Sequence, residues 1–198
     1  METKKISTYI EGLDEVLGGG FPVGHVVLLS GLPGTMKSTL SYAILHRNAK
    51  ERGARCLYVS LEQTRKSLED QMAAMGFDVE EVRGDVHILD VGTIQKEIGK
   101  SATKPWMEFL RRTLTTKKDI DGVDLIVVDS LEALEVLAKF SDRRLADGIL
   151  ELKMHQITDV EVQRRIRVSK MRGAHHRTGF SALVFEDGRF QVTSVISV

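Results

Sequence analysis

Ser30-Gly-Leu-Pro-Gly-Thr-Met-Lys-Ser-Thr39, "SGLPGTMKST", is the stretch on which the reading of this chain turns. An apolar run, "HVVLLS" (His25 to Ser30), leads into it. A helical pattern leaves it, with Leu40, Ala43, Ile44 and Leu45 spaced along Lys37 to Arg52. A glycine loop between a buried strand and a helix is built to cradle phosphate. Backbone N–H groups of the loop and of the helix N-terminus point at the anion, and the helix dipole favours its charge. The pattern G-x-x-x-x-G-K-[ST] is met by Gly31, Lys37 and Ser38, with Met36 where the second glycine belongs. Gly31, Pro33, Gly34, Thr35, Met36, Lys37, Ser38 and Thr39 are therefore read as the nucleotide loop. Lys37 is expected to reach the β- and γ-phosphates and the Ser38 hydroxyl to ligate magnesium. An ordinary Gly/Pro turn is the plain alternative, and the agreement of strand, loop, Lys-Ser and helix speaks against it.

Met36 has a physical reading of its own. Backbone amides do the cradling, so a non-glycine residue still donates its N–H, while its side chain must point away from the phosphates. Helical φ/ψ in the first turn suits methionine, a good helix former. ATP binding is expected to survive, and turnover stays open.

Two carboxylates stand at strand ends. Asp129 closes "DLIVVDS" (Asp124 to Ser130), the place from which an acid at the C-terminal end of a buried parallel strand faces a ligand crevice and holds magnesium. A helix N-cap before "SLEALE" is its plain reading. Glu62 follows the strand "RCLYVSL", where a carboxylate can orient or deprotonate an attacking water. An acid opening a helix is equally ordinary. Its position alone does not choose.

The rest of the chain bounds these readings. Its 198 residues suffice for one domain with a real core. Lys plus Arg and Asp plus Glu number 28 each, so bulk charge draws it to neither nucleic acid nor an acidic membrane. The single cysteine, Cys56, lies in an apolar run and reads as a buried thiol, which suits a reducing cytoplasm. No apolar run approaches the roughly 20 residues of a membrane span, and the N-terminus lacks a secretory apolar core. Strand-like runs alternate with helical patterns: a helix over Thr64 to Met75, a strand "VHILDV", and helices over "ATKPWMEFLRRTL" and "LEALEVLAKF". That alternation argues for an α/β domain with a mainly parallel sheet. From Gly148 the texture changes to short strands, with a hairpin signal at Asp187-Gly188, which reads as an antiparallel extension.

"RRIRVSKMRGAHHR" places six Arg or Lys and two His within fourteen residues. A solvated basic edge hairpin is the plain reading. A nucleic-acid patch is weakened by the absence of interleaved aromatics. A donor of positive charge to a neighbouring subunit's phosphates is the third.

Taken together, "GLDEVLGGGFPVG" (Gly12 to Gly24), "SGLPGTMKST", "LYVSLEQT", "DLIVVDS" and "KMRGAHH" resemble the KaiC-like ATPases of the RecA superfamily, a group that includes archaeal RadA/RecA paralogues. The resemblance runs in family order over nearly the whole chain. It implies a single RecA-like P-loop NTPase domain over residues 1–198 that binds ATP with magnesium. It also implies a homo-oligomer, a hexameric ring or a filament, with nucleotide between protomers. Glu62 matches the first of two adjacent water-activating glutamates, and Gln63 replaces the second. Lys170, Arg172 and His176 match the K-x-R-G-x-x-H segment that contacts a γ-phosphate across the subunit interface.

Two departures bear on activity. Met36 and Gln63 both fall at the hydrolytic centre, so weak or absent turnover is expected. "KFSDRR" runs directly into "LADGILEL", where relatives carry a further helix and strand of about forty residues with loops. The absent strand would lie between the P-loop strand and the Asp129 strand, and its lack would leave two rows of backbone groups unpaired. The expectation is a segment missing between Arg144 and Leu145. Function then reads as a slow ATPase or nucleotide-gated switch. The alternatives are a nucleotide-independent interaction protein with a degenerate loop, and a DNA recombination mediator, which the sequence neither supports nor excludes.

Overall fold

The computed structural model describes residues 4–91, 122–129 and 146–195. The helices read over "ATKPWMEFLRRTL" and "LEALEVLAKF", and the Arg144–Leu145 junction, lie outside these residues. In chain order the elements are β1 (Lys5–Ile6), α1 (Leu13–Val16), β2 (Phe21–Pro22), β3 (Val27–Ser30), α2 (Lys37–Arg52), β4 (Cys56–Ser60), α3 (Arg65–Ala74) and β5 (Val86–Asp90). They continue with β6 (Leu125–Asp129), β7 (Gly148–Gln156), β8 (Val162–Met171), β9 (Ser181–Glu186) and β10 (Arg189–Ser194). None of the described helices is long and apolar enough to cross a membrane. Two compact units result, Met1–Asn48 with Asp142–Val198, and Ala49–Ser141.

In the first unit, β3 pairs in parallel with β7, and β7 through β10 follow antiparallel, giving the order β10-β9-β8-β7-β3. The β9–β10 hairpin turns at Asp187 (φ 46°) and Gly188 (φ 71°), the two positive φ values that a tight two-residue turn needs. Alternate residues of β7 and β8, Leu150, Leu152, Ile166 and Val168, are buried, as the period of two requires. The first part of the basic run, Arg164 to Met171, falls on β8, between β7 and β9, so that part is an interior strand and not the edge hairpin of the plain reading, and the rest forms the turn after it. Helix α2 is buried on nearly all sides: Leu40, Tyr42, Ala43, Ile44 and Leu45 are in the core together with Asn48. Burial of Asn48 is tolerated because its amide donates to the carbonyls of Ser7 and Ile44, both at 2.9 Å.

The Gly12–Gly24 segment ties the N-terminus to this unit. Asp14 accepts from the Thr8 N–H (2.8 Å), the Thr8 hydroxyl (2.7 Å) and the Ser7 hydroxyl. Gly18, at φ 66°, permits a close approach that no other residue would: a Cβ there would meet the His175 carbonyl oxygen at 2.2 Å.

In the second unit, β5-β4-β6 form a parallel sheet whose register aligns Ser60 with both Asp90 and Asp129. Val59, Leu61 and Val91 pack with Leu57, Leu89 and Val128 on it. Thr64 caps α3 by accepting from the Ser67 N–H at 3.2 Å, and Asp90 accepts from the Arg65 N–H at 3.1 Å.

β3 and β6 differ from the buried strands that their sequences suggest. Val27 through Ser30 are all half-buried, and within β6 Ile126 is exposed and the rest half-buried. The physical reason is pairing: among the described residues β3 hydrogen-bonds to β7 alone, and β6 to β4 alone. The middle strand β4, paired on both sides, is buried at Cys56, Tyr58, Val59 and Ser60.

Cys56 is fully buried. Burial pushes its thiol from 9.0 up to about 12, with Arg52 pulling the other way. The folded value lies above the unfolded one, so the neutral thiol contributes stability that is fully present below pH ~9 and is lost as pH rises towards 12. The native protein at pH 8 should resist alkylation by iodoacetamide until denaturant is added. Rapid labelling of the folded chain would show the thiol to be accessible.

Candidate functional site

The loop stands between β3 and α2, where the sequence places it. Gly31 is required by close packing: a Cβ there would meet the Leu152 carbonyl oxygen at 2.5 Å and Thr35 Oγ1 at 2.9 Å. The loop therefore lies against the backbone of β7 just past the last rung of the β3–β7 ladder, where Ser30 pairs with Glu151. Thr35 is buried and closes the turn, its N–H and hydroxyl donating to the Leu32 carbonyl at 3.3 and 2.7 Å. The Lys37 ammonium donates to the Gly31 carbonyl at 2.6 Å and to that of Leu32 at 3.4 Å. It is thus drawn back over the loop at the helix N-terminus, where a bound anion would take it. Pro33 and Gly34 are exposed, Ser38 is half-buried, and Thr39 is buried within the first turn of α2.

Met36 overturns the helical expectation. Its φ is +69°, a left-handed conformation, and the helix begins only at Lys37. Left-handed backbone crowds Cβ against the following carbonyl, a cost of about 1 kcal/mol that glycine avoids. Good helix propensity is therefore not what accommodates Met36. Its carbonyl still accepts the Leu40 N–H at 2.9 Å, so the loop geometry persists despite the strain.

The second unit gathers the acids. Asp129 is half-buried at the end of β6, and Tyr58, fully buried on β4, donates its hydroxyl to Asp129 Oδ2 at 2.5 Å. The Asp129 carbonyl accepts the Leu61 N–H at 2.7 Å, so Glu62 starts one residue beyond a fixed point at the same end of the sheet. Glu62 is exposed. The turn after it is closed by Ser60, whose hydroxyl donates to the Gln63 carbonyl at 2.6 Å and accepts the Gln63 N–H at 3.2 Å. Parallel register thus brings Asp129, Glu62 and Asp90 to one sheet end. Tyr58, Ser60 and Asp90 belong to this arrangement, and sequence reasoning missed them: only strand register shows which residues share a row.

Lys170, near the end of β8, and Arg172 and His176, on the turn after it, lie elsewhere. Lys170 donates to the Ala146 carbonyl at 2.5 Å, and His176 Nδ1 lies 3.2 Å from the Ala174 carbonyl. Arg172 Nη1 donates to Asp147 Oδ1 at 3.0 Å. Because Asp147 is bonded to Val26, this turn sits at the N-terminal end of β3, and the loop sits at the C-terminal end. Four strand residues, ~13 Å, separate them. Asp147 and His25 are further residues that the sequence did not single out. Within the basic run, Arg167 is bonded to Glu151 at 2.8 and 2.6 Å, and Phe180 carries both Lys153 (3.7 Å to the ring centre) and Arg167 (4.6 Å). Folding supplies an aromatic partner that linear spacing could not show.

Comparison with known proteins bears on the family and the fold. A family model described as "ATPase: KaiC" matches residues 6–144. The chain is 30% identical over 224 positions to the UPF0273 protein PH0284 of Pyrococcus horikoshii, with 88% of this chain and 87% of the relative covered. It is 27% identical over 171 positions to the circadian clock oscillator protein KaiC of Rippkaea orientalis, covering 82% of this chain and 32% of that protein. The crystal structure of the KaiC-like protein PH0186 from Pyrococcus horikoshii shares the fold, with a TM-score of 0.78 at 24% identity over 96% of this chain and 99% of the other.

Met36→Gly should relieve the left-handed strain. Against the chain-entropy cost of glycine, the net gain in unfolding free energy is on the order of 0.5–1 kcal/mol. ATP affinity should stay within a few-fold, because the amide is unchanged. Chemical denaturation with a parallel calorimetric titration checks both, and a clear loss of stability would mean that the Met36 side chain packs the loop.

Proposed function

The chain belongs to the KaiC ATPase family, and on that premise we propose that it is a magnesium-dependent ATP-binding protein acting as a slow ATPase or nucleotide-gated switch within a homo-oligomer. The observation that carries this reading is the loop of residues 31–38, closed by Thr35 against β7, with Lys37 folded over its carbonyls. An ammonium resting on carbonyl oxygens exchanges them readily for phosphate oxygens, which carry full charge. Magnesium is held by one or two protein oxygens together with phosphates and water. A hydroxyl such as Ser38 and a carboxylate such as Asp129 are donors of that kind. Glu62 is the water-orienting carboxylate of this reading, and the left-handed Met36 and the neutral Gln63 make turnover slow.

Lys170, Arg172 and His176 complete the reading as groups that meet the γ-phosphate of a neighbouring subunit. Support comes from their place at the end of β3 remote from their own loop. Charge developing on a transferred phosphoryl group needs more than Lys37 and backbone amides, and a cation from a partner makes hydrolysis depend on assembly.

Lys37→Ala should abolish ATP binding in a calorimetric titration, with phosphate release measured on the same samples. Wild-type affinity in Lys37→Ala would defeat the loop assignment. Binding without release in the wild-type protein would select the switch over the ATPase.

A second part of the reading concerns chain length. We propose that a helix–strand pair is absent between Arg144 and Leu145. The half-buried edges of β3 and β6 support this. So does the alignment with PH0284, whose 224 positions take in only 88% of a 198-residue chain and must open gaps in it. Intact mass spectrometry of the protein made from its natural gene should give a mass above that of these 198 residues. A mass equal to theirs means that the chain itself is short.

A further inference from the structure

Four of the hydrogen bonds that join the turn carrying Arg172 to the start of β3 meet at one residue, Asp147. Asp147 Oδ2 accepts the Val26 N–H at 3.1 Å, and Oδ1 accepts Arg172 Nη1 at 3.0 Å. Its backbone repeats both links: the Asp147 N–H donates to the Val26 carbonyl at 2.8 Å, and the Arg172 N–H donates to the Asp147 carbonyl at 2.9 Å. His25 Nε2 adds a contact of 3.0 Å to the Arg172 carbonyl. The start of β3, the start of β7 and the end of β8 are therefore knotted at Asp147. The Val26 N–H, and after it the Arg172 bond, hold the Asp147 carboxyl below its usual value of 3.8, so it is charged wherever the protein would work.

Farther along, the turn is anchored again. The Arg177 N–H donates to the Val16 carbonyl at 3.0 Å, and the His175 carbonyl lies against Gly18. With the backbone held on both sides, the freedom that remains to Arg172 is that of its side chain, which is 59% exposed. A guanidinium carries five N–H donors in a rigid fork, so one bond to Asp147 leaves the others to meet a second anion. An exposed ion pair adds little to stability, and the two backbone links hold the strands without it.

We propose that Asp147 is a positioning residue for Arg172, holding its guanidinium at the N-terminal end of the phosphate-loop strand so that its remaining N–H groups meet the terminal phosphate of ATP bound by a second copy of this chain. The proposal rests on the reading that Arg172 acts across the subunit interface. It assigns to Asp147 the loss of side-chain freedom that an exposed arginine would otherwise undergo on meeting the phosphate.

Asp147→Asn is the direct test, because the amide oxygen still accepts the Val26 N–H while the carboxylate facing Arg172 is gone. Phosphate release by the assembled protein should fall roughly tenfold to a hundredfold. ATP affinity at the protein's own loop should be unchanged, and Asp147→Glu should restore part of the rate. In mixtures, Asp147→Asn combined with Lys37→Ala should recover release, since one supplies an intact loop and the other an intact arginine. Asp147→Asn combined with Arg172→Ala should not recover it. A global folding defect would not sort between these partners. If Arg172→Ala keeps the wild-type rate, the cross-subunit reading falls and this inference with it. If Arg172→Ala is slow and Asp147→Asn is not, the arginine stands and the role of Asp147 is overturned. If the wild type releases no phosphate, ATP- and magnesium-dependent assembly followed by light scattering is the readout. There Asp147→Asn must weaken assembly as Arg172→Ala does, and wild-type assembly by Asp147→Asn overturns the proposal.

Discussion

The parallel ladder between β3 and β7 is the constraint on which the rest depends. Its four rungs run from Val27 opposite Gly148 to Ser30 opposite Glu151, and they fix what stands at each end of the strand. At one end, the extension of β7 through Leu152 meets Gly31 so closely that only a glycine fits, and the loop is folded against it. At the other, Asp147 draws Val26 and Arg172 together. A four-residue strand thus sets the distance between the glycine loop and a cation-bearing turn. A shift of one residue would turn every β7 side chain to the opposite face and break both ends at once.

Strain and pairing in the loop work against each other. Met36 is held left-handed although nothing about methionine favours it, because Thr35, Lys37 and the first turn of α2 fix the backbone on both sides. Sparsely populated backbone conformations persist where surrounding structure over-determines them. This loop is such a place, held from Gly31 through the first turn of α2 whatever side chain stands at position 36.

Much of the fold is legible in the sequence, and the reason is local. Helix α2 begins and ends at the residues that its periodicity marks, Lys37 and Arg52, because its apolar face, its Lys-Ser start and the following Gly53 all agree. The Asp187-Gly188 turn is equally local, fixed by two positive φ angles. The loop itself, Cys56 as a buried thiol, and Thr64 as the start of α3 follow from neighbours in the chain. The reading failed where a local rule met a tertiary demand. Helix propensity gave Met36 the wrong hand, and of the three readings of the basic run the edge hairpin does not hold, since β8 lies between β7 and β9 and its Arg167 is bonded to Glu151 and stacked on Phe180.

By itself the sequence determined the α/β alternation, the glycine loop between strand and helix, the two carboxylates at strand ends and the family to which they belong, because each is written in residues close together along the chain. Only the tertiary structure decided which of these residues share a row or an end. Register placed Asp129, Ser60 and Asp90 side by side, and gave Asp129 the hydroxyl of Tyr58. Packing brought Asp147 to Arg172 across 25 residues and to Val26 across 121. Hydrogen-bond pairing between strands is set by the whole sheet, and no stretch of sequence carries its partner's address.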